Sequence, residues 1–286
     1  MKISICTFEK WNGREPGTIG SSMIRGKWIA EKWPEAKIWS NGQKADVMIF
    51  QKVYSKEMMT DFKGIKILDL CDPDWFSTEQ TRCYINELST MVDAITCSTQ
   101  ELVDFIKTFA KIPVVYIPDR LNLDYFTTKK QHTERAKIVV WFGYSYNAKE
   151  VLPRVLQSLK ARQLNLKVIS NAPFEPNEDF GVRIDNVVWI PENAYMEIQA
   201  GDMSINPPAL VKQFRFKSNN KTLISWGLGL PVCNLADDMD RFLDPKEREK
   251  EVDIRRKEIG EKWDIIDSVK QYKDLICHIQ KTKKNN

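Results

Sequence analysis

The chain has 286 residues, long for one core and enough for two domains of about 130 to 150 residues each. Apolar residues make up 42% and aromatics 10%, which suits a packed soluble protein, and no apolar run approaches the roughly 20 residues of a membrane-spanning helix. A formal charge of +4 permits anionic partners without demanding nucleic acid, two histidines argue against a His-based metal site, and six scattered cysteines with no Cys-x-x-Cys pair read as reduced thiols of a cytoplasmic protein.

Met1-Lys-Ile-Ser-Ile-Cys6 is too short and too soon polar for a secretory signal, and residues 2–8 alternate as a first strand. A glycine-bearing stretch, 12–22, runs into 23–33, which has helical periodicity. Strand, Gly-rich loop and helix together place a ligand crevice at the carboxyl end of a sheet. Gly13, Gly17 and Gly20 do not fit the dinucleotide fingerprint, which argues against NAD. Residues 45–50 read as a strand, 55–62 as a short helix and 65–70 as another strand. Cys71-Asp-Pro-Asp-Trp-Phe76 follows at that strand's carboxyl end, so Asp72 and Asp74 are candidates for binding a substrate hydroxyl or for general-base work. Asp-Pro-Asp is equally a turn and helix-cap sequence. Residues 91–98 make the next strand, Ser98-Thr-Gln-Glu101 a capping box, and 112–119 a further strand.

The polar stretch 127–135 lacks periodicity and reads as a linker. Lys137-Ile-Val-Val-Trp-Phe-Gly143 begins a second series, entering a helix through Val151, Leu152, Val155, Leu156 and Leu159. Residues 166–170, 186–190 and 201–208 are further strands, and the alternation predicts parallel sheets with right-handed crossovers. Residues 239–262 carry both signs of charge and read as solvated helix. Trp263, Ile266, Val269, Tyr272, Leu275 and Ile276 then form a helical stripe.

One stretch in the second series concentrates chemistry. In Arg215-Phe-Lys-Ser-Asn-Asn-Lys-Thr-Leu-Ile-Ser-Trp-Gly-Leu-Gly-Leu-Pro-Val232, Ser218 or Asn219 caps a helix that Gly227 and Gly229 end. Arg215, Lys217 and Lys221 bring three cations to its start, the end that favours anions, with no Asp or Glu between Asp202 and Asp237. An ordinary αβ unit with solvated lysines is the plainer alternative.

Lys217-Ser-Asn-Asn-Lys221 followed by Gly229-Leu-Pro-Val232 resembles the donor-binding helix of GT-B glycosyltransferases, in the group that includes the retaining family 4. The run from 91 to 126, ending in Asp119-Arg-Leu-Asn-Leu-Asp-Tyr-Phe126, resembles the same family in spacing and order. The resemblance implies an α/β protein of two Rossmann-like domains facing a cleft. Residues 1–127 would be the acceptor-side domain, 136–262 the donor domain, and 263–286 a helix crossing back to the first domain; an amphipathic helix on its own domain is the alternative. It also implies hexosyl transfer from a UDP or GDP sugar, retaining, with no metal and no further cofactor. The acceptor is left open among a glycan, a lipid-linked saccharide, a protein and modified DNA.

On the family's pattern Arg215, Lys217, Ser218, Asn219, Lys221 and Thr222 meet the donor diphosphate. Gly143, Tyr144 and Asn147, in the first loop of the second domain, approach the donor, with Tyr146 equally suited to packing. Ile190, within Trp189-Ile-Pro-Glu-Asn193, lies where relatives hold the base by backbone groups. Gly20, Ser21, Ser22 and Arg25 fall in a loop that touches acceptor or donor phosphate; Arg25 is the expected anion contact, pairing with a surface acid the alternative. Two positions where many members carry glutamate, for sugar and ribose, fall here on Phe216 and Ile224. The missing glutamates allow a nucleotide-sugar or phosphate-ligand binding protein without catalysis as a competing reading, and a sugar-nucleotide epimerase on the same fold is a third.

Overall fold

The computed structural model describes residues 1–73, 79–208, 215–234 and 236–285, so Asp74 lies outside the described residues. The chain forms two units: Met1–Asn122 with Val211–Ser218 and Asp264–Asn286, and Leu123–Leu210 with Asn219–Trp263.

In the first unit, β1 (Ile3–Thr7), β2 (Ala36–Ile38), β3 (Val47–Gln51), β4 (Ile65–Leu70), β5 (Ala94–Cys97) and β6 (Val114–Tyr116) form one parallel sheet in the order β2-β1-β3-β4-β5-β6. Every residue of β1, β3 and β5 is buried, as strands covered by crossover helices on both faces must be. The chain steps from β1 outward to β2, then returns to β3 on the other side of β1. That reversal makes the β1/β3 carboxyl ends a topological switch point.

Two local details depart from the sequence reading. The first strand stops at Thr7, whose hydroxyl accepts the Lys10 N–H and caps a turn, Phe8–Trp11. The helical stretch expected over 23–33 opens with a π turn, Met23–Lys27, before Trp28–Lys32. Gly26 lets this wide turn lie on β1, because a Cβ there would meet Thr7 Cγ2 at 2.3 Å. The helix Ile265–Asn285 belongs to this unit, with Tyr272 buried against Trp33.

In the second unit, β7 (Ile138–Phe142), β8 (Asn165–Ser170), β9 (Ile184–Val188), β10 (Met203–Ile205) and β11 (Val232–Cys233) are again all parallel, in the order β11-β10-β7-β8-β9. Here the chain moves outward through β8 and β9 and returns to β10 beside β7, so β7/β10 is the switch point. Trp141, Leu152, Leu156, Leu166 and Met203 pack in its core. The charged run expected as solvated helix is two helices, Ala236–Arg241 and Pro245–Lys262, and the second buries Val252, Ile259 and also Arg248. Among the described residues no helix is long and apolar enough to cross a membrane.

Candidate functional site

The carboxyl ends of β7 and β10 carry Gly143 and Asn206, and the helix Asn220–Gly227 meets them there. Its Lys221 holds Nζ 4.3 Å from the centre of the Trp141 ring, an attraction between a cation and the negative face of an indole. The same ammonium lies against Gly143, where a Cβ would approach it to 2.6 Å. Gly143 also has φ +148°, a conformation other residues rarely adopt, so the position needs glycine on two counts.

Asn206 Nδ2 donates to Thr222 Oγ1 at 3.3 Å and ties β10 to the first turn of the helix. Asn219 stands at the N-cap with no side-chain cap bond, and the first N–H groups of a helix have no intrahelical acceptor. Backbone donors and a lysine at a helix start, on the switch-point edge of a parallel sheet, suit an oxyanion. Around them, Asn171 after β8 accepts the Ser145 N–H at 2.8 Å and holds the start of the helix Ser145–Val151. Asn147 is half-buried on that helix, while Tyr144 before it and Ile190 after β9 are exposed.

The three cations expected together do not share one element. Arg215 and Lys217 belong to the segment that groups with the first unit, Lys221 to the second. Phe216 is the reason: it is buried in the first unit's core, edge-on to Phe105 at 6.0 Å, and Thr99 Oγ1 donates to its carbonyl at 3.3 Å. Arg215 is exposed with its guanidinium 4.6 Å over the Phe216 ring, and Lys217 is half-buried. Ser218 is not the cap; its hydroxyl donates to Asp119 Oδ2 at 2.5 Å.

Arg25 is corrected as well. It is 2% exposed, with Nε and Nη2 on the two oxygens of Asp69 at 2.8 and 2.6 Å, and Nη1 on Asp119 Oδ1 and the Ile117 carbonyl at 2.8 Å each. Thr96 and Tyr272 hydroxyls also reach Asp69 Oδ1, at 2.6 and 3.0 Å. Burial alone would lower the Arg25 pKa, yet the Asp69 charge and hydrogen bonds carry it well above its ordinary value. These four hydrogen bonds all stay inside the domain. Gly20, Ser21 and Ser22 form a helical turn, with both serines buried and Ser22 Oγ donating to Gln51 Oε1 at 3.3 Å. The glycine-bearing loop before them is set by Glu9, a residue the sequence did not single out. Glu9 is buried, and its carboxylate accepts the Gly17 and Ile19 N–H groups at 3.0 and 3.1 Å.

Asp72, at the end of β4, is half-buried and paired with Lys52 Nζ at 2.8 Å. Lys52 follows β3 at the switch point and has φ +55°, a left-handed backbone that bulky residues seldom take. Its ammonium also lies 5.2 Å from the Phe8 ring centre. Cys71 between the strand and Asp72 is buried, its thiol pKa pushed up first by burial and then by the Asp72 charge, so it is no nucleophile.

No family model and no curated protein matches the sequence significantly. Solved structures do match. HepE from Anabaena, crystallised with UDP and glucose, superposes with a TM-score of 0.74 at 11% identity, over 97% of this chain and 100% of its own. AviGT4, a glycosyltransferase of avilamycin A biosynthesis, gives 0.61 at 10% over 98% of both chains. TarM from S. aureus, solved with UDP, gives 0.61 at 10% identity over 80% of this chain and 55% of its own, so the chain spans about half the length of TarM. The fold is GT-B. At these identities the likeness carries the fold and no more.

Proposed function

We propose that the protein is a glycosyltransferase that takes a hexose from a nucleotide-diphosphate sugar, with the donor on the second unit. The observation that carries this is Lys221 lying against Gly143 at the β7/β10 switch point, beside the start of the helix Asn220–Gly227. The leaving diphosphate gains negative charge as the bond from the anomeric carbon to its oxygen breaks and the glycosidic bond to the acceptor forms. A fixed ammonium and backbone N–H groups aimed at that charge stabilise the transition state without reorganising. This is what a bound metal does elsewhere, so we propose turnover that survives EDTA, with retention of configuration as the family resemblance implies. Asp72, held by Lys52, takes a substrate hydroxyl. HepE has been crystallised with UDP-glucose, which makes UDP-glucose the first donor to try and GDP sugars the second.

A second reading, a nucleotide-sugar binding protein without turnover, has its own support. Phe216 and Ile224 stand at the glutamate positions of many relatives and both are buried core residues, so the sugar and ribose lose two carboxylate partners. Calorimetry with UDP, UDP-glucose, GDP and GDP-mannose, alongside release of free nucleotide diphosphate, separates the two. Binding with release supports transfer. Binding without release, with any acceptor offered, supports the second reading; no binding of any of the four refutes both.

A further inference from the structure

The first unit's carboxyl edge also carries two indoles that the reading above does not use. Trp11 ends the turn Phe8–Trp11 after β1, and Trp39 follows β2. Both backbones are fixed. The Asn12 and Gly13 N–H groups donate to the Phe8 and Lys10 carbonyls at 3.1 Å each, with Gly13 at φ +75° closing the turn. The Trp39 N–H donates to the Ile5 carbonyl at 2.9 Å, extending the β1–β2 ladder by one residue. The ring centres stand 6.2 Å apart and the planes are inclined at 44°. Trp39 packs on the core, whereas Trp11 leaves 44% of its surface in solvent. An indole is normally buried for its large apolar area, so a rigid exposed one on the ligand-bearing edge of a parallel sheet marks a binding face.

Resting on the glycosyltransferase reading, we propose that Trp11 and Trp39 form a stacking platform for a pyranose ring of a saccharide acceptor. The C–H bonds on the less polar face of a pyranose carry slight positive charge and meet the negative face of an indole. A puckered ring can follow two inclined planes, whereas a flat nucleobase stacks on one. Hydroxyls at the sugar's rim need donors and acceptors, and Asn12 and Ser40-Asn-Gly-Gln43 directly follow the two indoles, with Asn12, Ser40 and Asn41 exposed. The Lys10–Glu15 ion pair adjoins Trp11, so the surroundings suit a polar ligand rather than a lipid tail.

Saturation-transfer NMR on the whole chain tests this, with methyl β-D-glucopyranoside and cellobiose as probes, thymidine as a flat aromatic control, and calorimetry with UDP in parallel. The expected result is transfer concentrated on the protons of one ring face. It falls roughly tenfold in Trp11→Ala and less in Trp11→Phe, while UDP affinity is unchanged. No transfer to either sugar, equal transfer in wild type and Trp11→Ala, or Trp11-dependent transfer to thymidine alone overturns the platform. If UDP, UDP-glucose, GDP and GDP-mannose all fail to bind while Trp11-dependent sugar transfer persists, the glycosyltransferase reading falls and the platform stands. UDP binding without sugar transfer removes the platform alone.

Discussion

Arg25 and Asp69 form a buried two-pronged ion pair, Nε and Nη2 lying 2.8 and 2.6 Å from the two carboxylate oxygens. Such a pair is costly to break singly, because the charge left behind stays buried without its partner. Arg25→Ala should therefore cost about 3 to 5 kcal/mol and lower the first unit's melting transition, read by calorimetric scanning. A variant that melts like wild type would show that the carboxylates are neutralised another way.

How much of this was legible in the sequence varies by element. Strands such as β7 were legible because strands buried on both faces read as continuous apolar runs, as in Val139-Val-Trp-Phe142, whereas β9 has no buried residue and runs Ile184–Val188, two residues before the expected 186–190. β2 was not, being three residues with one of them buried. Gly143 and Lys221 were each legible as motif residues, but their contact depends on the β7/β10 reversal, which no local pattern states. Arg25 was misread for the same reason: a cation beside a Gly-rich loop suggests an anion site, while its carboxylates sit 44 and 94 residues further along the chain. Phe216 was legible only as a missing glutamate of the family pattern, and the fold shows it filling the core beside Phe105.

Lys52 gives a test of backbone strain. At φ +55° an alanine keeps the left-handed cost and a glycine does not, and both remove the pair with Asp72. Lys52→Gly should exceed Lys52→Ala in stability by about 1 kcal/mol in urea titrations. If Asp72 takes a substrate hydroxyl, both variants should lose activity alike despite that difference. Activity that follows stability instead would remove Asp72 and Lys52 from the site.

His132 sets a pH dependence. Arg248 Nε donates to His132 Nδ1 at 3.0 Å, so Nε2 carries the hydrogen and donates to the Gly229 carbonyl at 2.9 Å. Burial first, then the charges of Arg248 and Lys130, hold its pKa below the ordinary 6.5. The unfolded chain thus takes up the proton more readily. Stability is full above pH 6.5 and falls as pH drops through 6.5 until the folded value is reached. Melting temperatures from pH 8 to pH 5 should show this decline, and His132→Gln should flatten it. An equal slope in both proteins would mean that other groups set it.

Gly143→Ala should damage the second unit's site in two ways. The new Cβ would fall 2.6 Å from Lys221 Nζ and 2.8 Å from its Cε, and the backbone at φ +148° strains any side chain, at about 1 to 3 kcal/mol. A lower melting temperature together with weaker UDP binding is the expected pair of results. Weaker melting with UDP affinity intact would place the diphosphate elsewhere.

Lys221→Ala is the sharpest test of the proposed donor site. Removing a charge-assisted contact to phosphate costs about 1.5 to 3 kcal/mol. At about 1.4 kcal/mol per decade, nucleotide-diphosphate affinity should fall roughly ten- to hundredfold. The backbone N–H groups of the first turn stay in place in the variant, which favours the lower end of that range. Arg215→Ala should matter less, because its guanidinium is stacked on the Phe216 ring and lies outside the helix Asn220–Gly227. Loss of the ammonium removes its cation–π contact with the Trp141 face, so the unliganded variant's melting temperature is measured alongside affinity to separate a folding defect from a lost ligand contact. Calorimetry at two salt concentrations reads the outcome, since an ionic contact weakens as salt rises. Unchanged UDP and GDP affinity in Lys221→Ala at both concentrations would leave Lys221 as a packing residue over Trp141 and remove the observation on which the glycosyltransferase reading rests.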